Sequence, residues 1–185
     1  MSEAVSALAG ARGSGLVELA DAGVTGMITL RGDLPLLGGA LESVLGLGLP
    51  GQRQVVTGQR GQVLWMSPDE LLIVLPYAEA PGVAAALSAA LGDAFATVAV
   101  VSDARALITV TGAQARDVLA KLMPVDFADF PVASVRRTRA AQVAAALWRE
   151  SETEWKLVCF RSVASYVFEA LATVAQPGGE VGLYR

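Results

Sequence analysis

Apolar runs in this chain are short, and each is stopped within a few residues by glycine, proline or a charged turn. The longest uncharged stretch, Ala80 to Gly92, is nearly half alanine. It falls short of the roughly 18–20 apolar residues that a membrane-crossing helix needs. Runs of this length suit short strands and short helices, and their order fixes the fold class.

Gly26–Leu30 reads as a strand, closed by the turn Arg31-Gly32-Asp33. Leu37, Leu41, Val44 and Leu45 then fall at helical spacing within Leu34–Leu47, with Pro35 near the start. Gln54–Thr57 and Gln62–Met66 flank Gly58-Gln59-Arg60-Gly61, a hairpin pattern. Ser67-Pro68-Asp69-Glu70 is a turn, and Leu71–Leu75 is an apolar run of strand length. Pro81–Leu91 reads as a helix, and Phe95–Val101 and Ala106–Val110 as strands. Ala113–Met123 is amphipathic, with Ala115, Val118, Leu119 and Leu122 on one face. Val125–Pro131 is a loop whose two Phe side chains must be buried.

Ala140–Trp148 is open between helix, by alanine propensity, and strand, by the polar turn Arg149–Glu154 and the strand Trp155–Phe160 that follow. Ser162–Val174 is a helix with Ser162 where an N-cap belongs. Strand pairs interleaved with single helices predict an α+β fold, largely antiparallel sheet with helices packed on it. No internal repeat of fixed period is visible. Residues 1–22 read as a mobile N-terminal tail, 23–177 as one α+β domain open to division into two subdomains, and 178–185 as a C-terminal tail.

The balance of 14 Lys+Arg against 18 Asp+Glu gives a net charge of -4, with 54% hydrophobic residues. That composition excludes a disordered chain. An acidic chain argues against nucleic-acid binding. Neither a membrane span nor a secretory signal is apparent, so a cytoplasmic protein is expected.

The sequence has no histidine and a single cysteine, Cys159. This removes His-based metal sites, Ser-His-Asp triads, Cys-His pairs and intrachain disulfides. The glycines of Gly10–Gly15 follow no strand and open no helix, and those of Leu45–Gly51 precede no Lys-Ser/Thr, so neither makes a phosphate loop. Asp126 and Asp129, and Asp69 and Glu70, are paired carboxylates in loops, where solvated charge is the ordinary reading. Cys159 lies in an apolar strand and reads as a small hydrophobe, although Arg161 starts on the same strand face. Arg136, Arg137 and Arg139 form the one basic cluster, open to an acidic partner surface or anion or to plain solvation. Trp65, Trp148 and Trp155 read as core, with one such face available to another subunit.

Six segments in order carry a resemblance. They are Gly26–Asp33 with Leu47–Pro50; Val63–Leu72; Val101–Arg105; Ile108–Ala113 with Ala115–Lys121; Leu147–Arg149; and Phe160–Ser162 with Ala164–Tyr166. Together they resemble the gamma subunit family of heterotetrameric sarcosine oxidases. The resemblance implies a fold similar to the folate-binding region of aminomethyltransferases. It also implies a complex with alpha, beta and delta subunits that oxidises sarcosine to glycine and hydrogen peroxide. With tetrahydrofolate as acceptor, the methyl carbon leaves as methylene-tetrahydrofolate. FAD, FMN, NAD and zinc would belong to the other subunits and none to this chain. The expected role is a non-catalytic structural subunit, with Arg136, Arg137, Arg139 and Arg161 at a partner interface or anion contact and homo-oligomers forming in isolation. The alternative is a stand-alone folate-binding or one-carbon-transfer protein.

Overall fold

The computed structural model describes residues 4–184. They divide into two compact units: Thr25–Ser102 forms one, and the stretches on either side of it together form the other. Within the stretch read as a tail, β1 (Arg12–Ser14) and β2 (Glu18–Asp21) pair as an antiparallel hairpin. Both strands are too short for a period to show. Burial of Val17 and Leu19 holds them to the core of their unit. The Asp21 carboxylate ties the preceding turn, accepting from the Ser6 hydroxyl, the Gly10 N–H at 2.9 Å and the Gly23 N–H at 3.1 Å.

The central unit runs β3 (Thr25–Arg31), α1 (Leu34–Leu45), β4 (Val55–Gly58), β5 (Gly61–Ser67), β6 (Glu70–Pro76), α2 (Ala80–Leu91) and β7 (Thr97–Val100). The five strands form one antiparallel sheet in the order β4-β5-β6-β3-β7. Alternate residues put Ile28, Leu30, Val63, Leu71 and Ile73 on one face, against Leu37 and Leu41 of α1 and Val83 and Leu87 of α2. Each such side chain contributes roughly 1.5–3 kcal/mol on burial. Pro35 sits in the first turn of α1, and Gly46 ends it at φ +66°, its N–H donating to Glu42 C=O.

The flanking unit adds β8 (Arg105–Thr111), α3 (Ala115–Ala120), β9 (Val135–Ala140), β10 (Val143–Arg149), β11 (Glu154–Phe160) and α4 (Ala164–Val174). Its antiparallel sheet has the order β1-β2-β8-β11-β10-β9. Ile108, Val110, Leu147, Trp155 and Leu157 pack against Val118, Leu119, Val167 and Leu171 of the helices. Phe127 and Phe130 are both buried, and Phe130 meets Trp155 edge to face at 4.8 Å.

Three local expectations change. Pro131–Arg139, which carried no element, contains most of β9. Ser162 does not cap α4: it lies inside a 3-10 turn, Arg161–Val163, whose own backbone bond from Ala164 N–H to Arg161 C=O leads into the helix. Helix α3 is half the length that its amphipathic pattern spans, because the chain turns away at Lys121 ahead of Pro124. The alanine-rich stretch 143–149 is a strand: pairing on both sides by β9 and β11 and burial of five successive residues outweigh alanine's helical bias. The described residues form an α+β fold with two antiparallel sheets and four α-helices.

The two units repeat one topology. β3, α1, β4, β5, β6, α2 correspond to β8, α3, β9, β10, β11, α4, and the sheet orders β4-β5-β6-β3-β7 and β9-β10-β11-β8-β2 match strand for strand. Strands β3 and β8 share one burial pattern and the same Ile-Thr pair, at Ile28-Thr29 and Ile108-Thr109. Their partners start in the same register, Thr25 opposite Pro76 and Arg105 opposite Phe160. The offset between copies changes along the chain, so no fixed sequence period appears. The strand that β7 supplies from the end of one copy is supplied in the other by β2, from ahead of it.

Candidate functional site

Register decides which of the four arginines come together. Arg139 of β9 lies opposite Ala144 of β10. Ala145 lies opposite Cys159, which brings Ala144 level with Phe160, and Phe160 lies opposite Arg105 of β8. Arg139, Ala144, Phe160 and Arg105 therefore form one row across four strands, on the sheet face turned away from α3 and α4. At about 4.8 Å per strand the two arginine Cα atoms stand roughly 14 Å apart. Arg137 projects from the same face, two residues along. The Arg105 guanidinium lies 4.0 Å over the Phe160 ring, and Phe160 is 45% exposed. Ala144 leaves the middle of the row low.

Arg136 points to the other face, where it lies 4.8 Å over the Phe130 ring and donates to the carbonyls of Val135 and Asp129. Arg161, in the turn before α4, gives both terminal nitrogens to Val5 C=O at 3.1 Å. Of the four arginines singled out from the sequence, Arg137 and Arg139 share a surface, whereas Arg136 and Arg161 brace the fold. Arg105 was missed. Its only sequence signal is that it opens an apolar strand, and its partner Phe160 is far away in the chain.

The remaining chemistry is quiet. Cys159 is fully buried, and burial pushes its thiol up to about 11, away from the thiolate a nucleophile needs. The Ser67 hydroxyl and the Arg31 guanidinium, at 2.7 Å, hold the Asp69 carboxyl below the usual carboxylate range, fixed as an anion. Asp126 is exposed and turned onto the Ala128 N–H at 2.9 Å. Among the described residues no three His, Cys, Asp or Glu side chains converge as a metal site would require, and no helix is long and apolar enough to cross a membrane.

One open cleft of about 690 Å³ lies in the Thr25–Ser102 unit. Arg31, Asp33, Leu36, Asp69, Phe95 and Thr97 line it. Phe95 is fully exposed. The cleft has no buried ionisable group. Like the arginine row, it offers contact area with charge at its rim and no acid–base machinery.

Comparison with known proteins gives three findings. The model of the sarcosine oxidase, gamma subunit family matches residues 31–176. Two curated relatives are sarcosine oxidase gamma subunits: one from Corynebacterium sp. strain P-1, 35% identical over 78% of this chain and 73% of its own, and one from strain U-96, 32% identical over 64% and 59%. Among solved structures, a chain of the heterotetrameric sarcosine oxidase from Corynebacterium sp. U-96, in complex with pyrrole 2-carboxylate, superposes with a TM-score of 0.81 at 27% identity, covering 93% of this chain and 91% of that one. Aminomethyltransferase T of the glycine cleavage system from Bartonella henselae superposes at 0.62 with 16% identity, over 82% of this chain and 44% of that one, and shares the fold.

Proposed function

The chain belongs to the sarcosine oxidase gamma subunit family, and on that footing we propose that it serves as a non-catalytic subunit of a heterotetrameric sarcosine oxidase. The observation that carries this reading is the family match over residues 31–176, with a superposition that spans nearly the whole of one chain of such a heterotetramer. The chain's own side chains support the non-catalytic part. Its thiol is buried and neutral, and Asp69 is held charged.

In this reading the complex oxidises sarcosine to glycine with release of hydrogen peroxide, and the methyl carbon passes to tetrahydrofolate as methylene-tetrahydrofolate. FAD, FMN, NAD and zinc sit in the alpha, beta and delta partners, in the cytoplasm. This chain contributes shape and contact surface. Arg137 and Arg139, joined by Arg105 and Phe160, present the cationic face that meets an acidic surface of a partner, while Arg136 and Arg161 hold that face in place.

Three measurements test this. The purified chain alone, given sarcosine and oxygen, should release no hydrogen peroxide; sustained release would overturn the non-catalytic role. Replacing Arg137 and Arg139 together by Glu should weaken assembly with the other subunits about tenfold or more, as expected when like charges are brought together across an interface. Unchanged assembly would remove the arginine row from the interface. Calorimetric titration with tetrahydrofolate should give no saturable heat with the chain alone; saturation would promote a folate-binding role.

A further inference from the structure

We propose that the outer edge of β7 and the adjoining Phe95 cleft receive an extended segment of another subunit, apolar at its centre and basic at its ends, added to the sheet as a sixth strand. This rests on the subunit reading above and gives it a location. β7 ends its sheet. The Val101 N–H donates to Met27 C=O at 2.8 Å, so Val101, Ala99 and Thr97 turn their backbone groups toward β3. Val98 and Val100 then turn theirs outward.

An open edge is normally blunted by charge, proline or a bulge. β7 reads Thr97-Val98-Ala99-Val100, with none of these, and Val100 is 46% exposed. The chain's other copy of this topology shows what such an edge takes. There β2 holds the place of β7, and its outer side is covered by the extended strand β1. The corresponding side of β7 has no such strand among the described residues.

The side-chain chemistry beside the edge narrows the occupant. Phe95, two residues before β7, is fully exposed, and with Leu36 it gives the cleft an apolar wall. A bare phenyl ring of this kind is the sort of anchor that dominates binding energy once covered. Two exposed carboxylates, Asp33 and Asp69, line the same cleft against one guanidinium, Arg31, already bonded to Asp69. The surplus is negative, which favours Lys or Arg at the ends of the incoming strand. Strand addition supplies main-chain hydrogen bonds, and the cleft reads the side chains.

The test uses the chain co-expressed with the other subunits of the complex and three variants. Phe95→Ala removes a side chain that touches solvent only. Val100→Pro removes an outward N–H while leaving the bonds to β3 intact, a position where proline is tolerated on an edge strand. Val100→Ala is the control. Phe95→Ala and Val100→Pro should each weaken assembly about tenfold or more, whereas Val100→Ala stays near wild type and thermal unfolding of the isolated chains is little changed. Assembly at wild-type affinity by both variants overturns this location and leaves the subunit reading standing. A wild-type chain that fails to assemble overturns both. Loss of a homodimer of the chain alone, with mixed assembly untouched, overturns the proposed occupant in favour of a second copy.

Discussion

Cys159 sits at the centre of β11, fully buried. Desolvation raises its pKa from near 9 to about 11. In the unfolded chain the thiol ionises near pH 9, while in the fold it keeps its proton to about 11. The unfolded state therefore binds fewer protons between these values, and stability must fall as pH rises through that window. A rise of that size corresponds to roughly 2–3 kcal/mol. Urea unfolding at pH 8, 9, 10 and 11 should show this loss, and Cys159→Ala should flatten it. A thiol reagent at neutral pH should label Cys159 only on unfolding. Arg149 is buried for a different reason. Its Nη1 donates to Phe130 C=O at 3.1 Å, its Nε to Ser151 C=O at 3.1 Å, and its Nη2 to the Glu152 carboxylate. It pins the aromatic loop to the hairpin turn. Arg149→Met strands those carbonyls and should cost about 2–4 kcal/mol in denaturant unfolding. Glu152→Gln should cost under about 1 kcal/mol, because that carboxylate is mostly in water.

At the scale of elements, Gly32 and Gly112 close β3 and β8 at φ +153° and +147°. Both stand at the same place in the repeated topology, where a side chain is strained. A Cβ on Gly32 would also lie 3.2 Å from the Phe95 carbonyl oxygen. Alanine at either position should destabilise by about 1–3 kcal/mol in thermal unfolding, and similar losses at both would reflect their equivalent settings. Elements whose residues carry their own signal were readable from the sequence: β3, β6, β8 and β11 as apolar runs, and α1, α2 and α4 by spacing and their proline or glycine ends. Strand β9 was hidden because Arg136, Arg137 and Arg139 on an edge strand read as a charge cluster. β1 and β2 were hidden because three or four residues cannot show alternation. The row Arg105–Phe160–Ala144–Arg139 depends on the pairing of four separate strands, which no local pattern encodes. The arginine cluster was legible as a feature, but its splitting between two faces was not. The fully exposed Phe95 looked from the sequence like an ordinary strand residue.

In the proposed role the whole chain is a scaffold. Two copies of one sheet-and-helix topology give it two cores, each closed by its own helices. Its unusual surface features are a cationic row with an exposed Phe, and an uncharged open edge beside a bare phenyl ring. In the proposed role the protein works by being covered, and the proposed heterotetramer supplies the cover. The most direct measurement is sarcosine-dependent hydrogen peroxide release, followed alongside native mass spectrometry, for this chain alone and for the chain co-expressed with its three proposed partner subunits. The account predicts no peroxide from the single chain and turnover by a four-chain particle that contains it. Peroxide formed by the unaccompanied chain, or an active particle that leaves it out, would contradict the account.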